Sequence, residues 1–97
     1  MRQFVAIISE TAQSELDEAY LYYESVDKGL GDTFKEEIDG AVKRVLNFPF
    51  ISEKVTRNVR RHLIPRFSYA IFYSVDEKKE TILILSVGHQ HREPRYR

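Results

Sequence analysis

Cysteine is absent from the 97 residues, which excludes disulfide staples, thiolate zinc sites and cysteine nucleophiles. Long hydrophobic runs are absent as well. Residues 69–73 form an uninterrupted apolar stretch of a handful of residues, against the ~20 that a membrane-crossing helix needs. The N-terminus lacks the hydrophobic region of a signal peptide. The expectation is a soluble, cytoplasmic protein with no membrane partner. No Pro/Gly/Ser-rich linker, internal repeat or low-complexity tract divides the chain, so residues 1–97 are expected to make one domain around one core. Net charge is lacking too: 15 Lys and Arg balance 15 Asp and Glu, whereas a strong nucleic-acid binder is usually net basic.

What is present is a composition 42% hydrophobic with six Tyr and six Phe, enough for a compact core. The balanced charge is unevenly laid out. Residues 1–48 carry a net −5 and residues 49–97 a net +5. This asymmetry points to an acidic or polyanionic partner for the second half, or simply to two solvated surfaces of opposite sign.

Residues 4–8 are apolar and bounded by polar neighbours, which predicts a first strand. Ser9 is placed to cap a helix, with Glu10 in the first turn where the helix dipole favours negative charge. Ala12, Leu16, Ala19, Tyr20 and Tyr23 recur at helical spacing as one apolar stripe, with Glu15, Asp17, Glu18 and Glu24 expected on the other side. Residues 25–31 contain Gly29 and Gly31 and read as a tight connection. A second stripe of Leu30, Phe34, Ile38, Ala41, Val42 and Val45 ends at Pro49, which cannot continue a helical ladder. Gly40 costs roughly 1 kcal/mol against alanine inside that helix. It is read as permitting close approach of the first helix, in an antiparallel helical hairpin.

The period then changes. Residues 52–58 form a polar connection and residues 59–64 a strand candidate. Phe67, Tyr69, Ile71, Tyr73 and Val75 alternate with smaller residues as a strand with one large-residue face. Residues 76–80 are a charged hairpin loop. Residues 81–87 predict a central strand buried on both faces, and residues 88–97 a polar, cationic tail outside the core. The fold class is α+β in the order βααβββ: an N-terminal strand, an antiparallel helical hairpin and a three-stranded antiparallel meander. The first strand must join the same sheet to satisfy its backbone, and the helices cover one face.

The succession AQSELDEAYLYYES, GLGDTFKEEIDGAVKRVLNFP and VRRHLIPRFSYAIFYSVDEKKETILILSVGHQHREP resembles the ParE/RelE toxins nearly end to end. Three pieces carry the resemblance: Arg60 or Arg61 opening the meander, the Phe-x-Tyr-x-Ile-x-Tyr strand from Phe67 to Tyr73, and the ending Val87, His89, Arg92, Pro94. The resemblance implies the RelE/ParE-like fold and a type II system of the plasmid-stabilisation kind, in which a cognate antitoxin protein neutralises the toxin. A homodimer or a heterotetramer with antitoxin is compatible with it. The ParE branch poisons DNA gyrase, and the RelE branch is a metal-independent endoribonuclease cutting mRNA in the ribosome. One scaffold hosts both mechanisms, so fold alone does not choose.

The RelE-like alternative implies a catalytic set of Arg60, Arg61, Arg66, His89 and Tyr96. Arginine cations would stabilise the pentavalent phosphate, His89 or His91 would move protons, and Tyr96 would stack on a base or donate a proton. The ParE-like alternative implies target binding by Arg60, Arg61, Arg66, Arg92 and Arg95, with Tyr96 as aromatic anchor. No lysine occupies residues 59–73 or the tail, where some RelE-type enzymes keep one, and the full second helix resembles the ParE branch, which is favoured. A protein-binding module that has lost toxicity is the third reading. Plainer roles stand beside these. The arginines also suit solvated strand positions or antitoxin contacts, and strand alternation groups His89 with Leu83, Leu85 and Val87 as a partly buried side chain. Tyr20, Tyr23, Tyr69 and Tyr73 are read as core, Tyr22 as solvent-facing. His89 and His91 alone make a poor metal site, and no cofactor or metal is expected.

Overall fold

A computed structural model describes residues 3–89. The elements are β1 (Val5–Ile8), α1 (Glu10–Val26), α2 (Leu30–Asn47), β2 (Glu53–Lys54), β3 (Arg60–Ile64), β4 (Tyr69–Asp76) and β5 (Thr81–His89). Ser9 begins α1 as expected: its backbone is extended and its hydroxyl accepts from the Ala12 N–H at 3.1 Å. The same hydroxyl donates to the Leu85 carbonyl at 3.0 Å, tying the helix start to β5.

The turn between the helices rests on Glu24 and two glycines. Gly29 holds φ at +91°, a region glycine enters without steric cost. The Glu24 carboxylate accepts from the Gly29 and Gly31 N–H groups at about 3.0 Å, replacing a side-chain cap on α2. A Cβ on Gly31 would lie 2.8 Å from Glu24 Oε1 and 2.9 Å from the Tyr20 carbonyl oxygen. Close approach of the helices therefore falls at Gly31. The expectation for Gly40 is corrected: a Cβ there meets nothing nearer than Arg44 Nη1 at 3.5 Å.

The strands form one sheet in the order β1-β5-β4-β3-β2. β3, β4 and β5 make the expected antiparallel meander, with Arg60 opposite Tyr73 and Asp76 opposite Thr81. β1 joins the far edge parallel to β5, Ile7 beside Leu83, so β5 becomes an interior strand. The expected polar connection at residues 52–58 contains a further two-residue strand, β2, antiparallel to β3. β4 starts at Tyr69, two residues later than the alternation suggests, because Arg66 turns the chain with φ at +73°.

Both helices cover one face of the sheet. Ala12, Ala19, Phe34, Ile38, Ala41 and Val45 pack on Ile64, Ile71, Tyr73, Ile82, Ile84 and Val87. The other face carries a smaller cluster of Val59, Ala70, Phe72 and Leu85, and leaves Leu63 and Leu83 exposed. β5 is thus not buried on both faces. A bulge opposite Phe72 and Tyr73 shifts its phase, so Leu85 faces away from the helices while Ile84 and Val87 both face them. Glu15, expected on the solvent side of α1, corrects a further expectation. It is buried, accepting from the Ser86 hydroxyl at 2.8 Å and the Val87 N–H at 2.9 Å.

Candidate functional site

Arg60 and Arg61 are neighbours on a strand, so their side chains leave opposite faces. Arg60 Nη1 donates to the Phe50 and Ser52 carbonyls at 2.9 and 2.7 Å, and its guanidinium lies 5.3 Å from the centre of the Phe50 ring. It fastens the connection after α2. Arg61 Nη2 pairs with Glu53 Oε2 at 2.9 Å across the β2–β3 ladder. The two arginines do not share a site.

Next along the strand, His62 belongs to a polar network that the sequence reading did not single out. Arg44 Nε donates to His62 Nε2 at 3.4 Å, which leaves Nδ1 as the protonated nitrogen, 3.0 Å from Ser52 Oγ. Burial, and then the Arg44 charge, hold the imidazole below its usual pKa of 6.5. Close by, the buried Tyr73 hydroxyl donates to the Pro49 carbonyl at 2.8 Å. The only sequence signal was a histidine at an inward position of β3.

Arg66 and His89 do come together. They line an open hollow of about 650 Å³ where the β3–β4 turn meets the end of β5, with Tyr22, Tyr69, Phe67 and Ser68. Its base is an aromatic cluster: the Tyr23 ring stands 5.1 Å from Phe34 and 4.9 Å from Phe67, and Phe34 stands 5.3 Å from Tyr69. The positive φ of Arg66 sends Phe67 into that cluster and leaves the Arg66 side chain 67% exposed, paired loosely with Glu37 at 3.6 Å. His89 lies in register with Tyr69, their rings 6.1 Å apart. It is exposed, contrary to the partly buried placement expected with Leu83 and Leu85. The bulge separates it from Leu83 and Leu85 and puts it in phase with Val87, at the open end of the strand where the hollow begins.

The hollow offers a guanidinium, an imidazole and stacked aromatic surface. These suit an anionic or planar group on a partner. Burial pushes the Tyr23 phenol above its usual pKa, with Tyr69 and Tyr22 adding to the effect, so this hydroxyl stays protonated near neutral pH. Arg92, Arg95, Tyr96 and His91 lie outside the described residues. Among the described residues no group of three His, Cys, Asp or Glu side chains is placed to hold a metal, and no helix is long and apolar enough to cross a membrane.

Comparison with known proteins agrees with this architecture. A chain of the chromosomal ParDE system from P. aeruginosa superposes with a TM-score of 0.77 at 16% identity, over 90% of this chain and 96% of that one. A mutant of the E. coli toxin RelE in the free state gives 0.70 at 21% identity, over 94% and 86%. A chain of the intact E. coli RelBE toxin–antitoxin complex gives 0.68 at 22% identity, over 93% and 99%. At these identities the likeness establishes the fold. No curated protein sequence matches the chain significantly. The family model described as "ParE toxin of type II toxin-antitoxin system, parDE" matches residues 6–94. The chain therefore belongs to the ParE toxin family of type II toxin–antitoxin systems.

Proposed function

We propose that this toxin acts by binding its target rather than by cutting RNA, that the target is DNA gyrase, and that an antitoxin docked on the helical hairpin holds it inactive. One observation carries the preference: the β3 arginines are engaged within the fold, Arg60 on two backbone carbonyls and Arg61 on Glu53. Metal-independent RNA cleavage needs a proton acceptor, a proton donor and cations gathered around one phosphate. Of the residues foreseen for that work, only Arg66 and His89 meet among the described residues. Inhibition by binding asks instead for a rigid surface with a few anchors, and Arg66 and Tyr22 on an aromatic base are residue types that dominate such contacts.

Supercoiling by purified gyrase tests the proposal. The protein should stall the enzyme, Arg66→Ala should weaken the effect by about tenfold or more, and mRNA on programmed ribosomes should stay intact. Ribosome-dependent cuts that vanish with Arg66→Ala or His89→Ala would overturn it in favour of the endoribonuclease.

The antitoxin reading has its own support. A cleft of about 700 Å³ lies between α1 and α2, lined by the half-buried Leu16 and Val42 and the exposed Gln13, Asp17, Lys35, Asp39 and Lys43, with Ile71, Ile84 and Val87 buried beneath. That shape accepts the apolar face of an amphipathic helix. The net positive charge of residues 49–97 would then meet an acidic stretch of antitoxin along the sheet.

A further inference from the structure

On the face of the sheet away from the helices, burial is uneven. Leu63, Leu83, Ile7 and Val5 are exposed, as side chains on an uncovered sheet face are. Toward the end of the sheet where β5 stops, the pattern reverses: Ala70 is 0% exposed, Phe72 3%, and Gly88 is buried with them. Ala70 stands opposite Gly88, and neither carries a side chain longer than a methyl, so the ladder leaves a shallow depression flanked by Phe72 and Leu85. Small residues in the middle of an uncovered sheet would be open to water. Among the described residues both helices pack on the other face, through Ala12, Phe34, Ile38 and Val45. The depression is closed in a single chain, so its cover belongs to this chain.

Reach decides between the two segments outside residues 3–89. Residues 1–2 span at most about 7 Å. They lead into the sheet through Val5, whose partner Thr81 lies about 23 Å along β5 from Gly88. Residues 90–97 start from His89, beside the depression, and extend up to about 28 Å, enough to turn back over Ala70 and Phe72. Pro94 and Tyr96 are the only apolar residues in that segment. A depression between small residues takes a flat ring.

We infer that residues 90–97 fold back across this end of the sheet and seat Tyr96 on Ala70, Gly88 and Phe72. The ring packs against Phe72, and the phenol hydroxyl stays at the solvent side. Seating carries Arg92 and Arg95 onto the sheet near the exposed Leu63 and gives that face a cationic border. Tyr96 is then a positioning residue for these arginines and not an anchor that enters a partner. That consequence for target binding rests on the proposal above; the seating itself does not.

The chain has no tryptophan, so Tyr96→Trp places a single fluorescent reporter in the full-length protein. Its emission should lie to the blue of the same protein unfolded in urea, and acrylamide should quench it less. Neither property should change with protein concentration. Adding Ala70→Lys fills the depression and repels the basic tail without touching the helix-covered core, so the emission should return to that of a solvated indole. Adding Leu83→Lys, on the exposed half of the same face, should leave it shielded. Removing residues 90–97 from the chain with native Tyr96 should raise binding of the neutral dye Nile red, with circular dichroism showing that the fold is kept. A solvated indole at the outset, a shielded one that ignores Ala70→Lys, or no gain of dye binding on truncation overturns the inference. So does a blue shift that grows with concentration, which would seat the tail on a second copy. No readout involves gyrase, so failure there would not be mistaken for failure here.

Discussion

His62 shows how one side chain can couple acidity to the integrity of the α2–β3 corner. Its imidazole joins Arg44 of α2 to Ser52, whose carbonyl is in turn held by Arg60. Burial and the Arg44 charge depress its pKa in the folded state, so folding disfavours the protonated form. The unfolded chain then binds the proton more readily. The corresponding stability is fully present above the ordinary value of 6.5 and is lost as pH falls below it. In urea titrations across this range the wild-type midpoint should drop more steeply with acidification than that of His62→Gln. Parallel curves would show that the imidazole is not coupled to folding. The β3 arginines hold a related lesson. Their adjacency in sequence reads as a cluster, yet a strand sends neighbours to opposite faces, so the separation of Arg60 from Arg61 was already legible in the period of residues 59–64. The phase of His89 was not, because a bulge between Phe72 and Tyr73 has no signature in the alternation of β5.

Among the elements, the helical hairpin separates two glycines that look alike in sequence. Gly31 sits where α2 crosses α1, and an added Cβ would meet the Tyr20 backbone oxygen at 2.9 Å. Gly31→Ala should therefore destabilise the protein by about 1–3 kcal/mol, the usual cost of overpacking against atoms that cannot yield. Gly40 meets only the tip of Arg44 at 3.5 Å. There, alanine should stabilise by about 0.5–1 kcal/mol through helix propensity alone. Chemical denaturation of the two variants checks both signs. Helical spacing made the stripes of α1 and α2 legible, since each is a local pattern of period 3.6. It misplaced Glu15, whose burial depends on hydrogen-bond partners in β5 that no nearby residue announces. The parallel partner of β1 was hidden for the same reason: register between Ile7 and Leu83 is a long-range fact.

For the whole molecule, the sheet has one structural face and one available face. Ile84 is 1% exposed beneath the helices, whereas its neighbour Leu83 is 36% exposed on the other side with Ile7 beside it. Ile84→Ala should cost roughly 2–4 kcal/mol, as buried aliphatic truncations do. Leu83→Ala should cost less than about 1 kcal/mol, in line with partly solvated positions. Equal losses would mean that the second face is covered in the isolated protein.

β5 also sets the order of events at the ribosome. It lies between β1 and β4, contacts α1 through Ser86 and Val87, and follows every other described element along the chain. A nascent chain that has released β1 and both helices has no neighbour for the first strand and only an incomplete floor for the apolar stripes. The sheet closes when residues 81–89 emerge, and the hollow that His89 completes exists only on chains translated to that point.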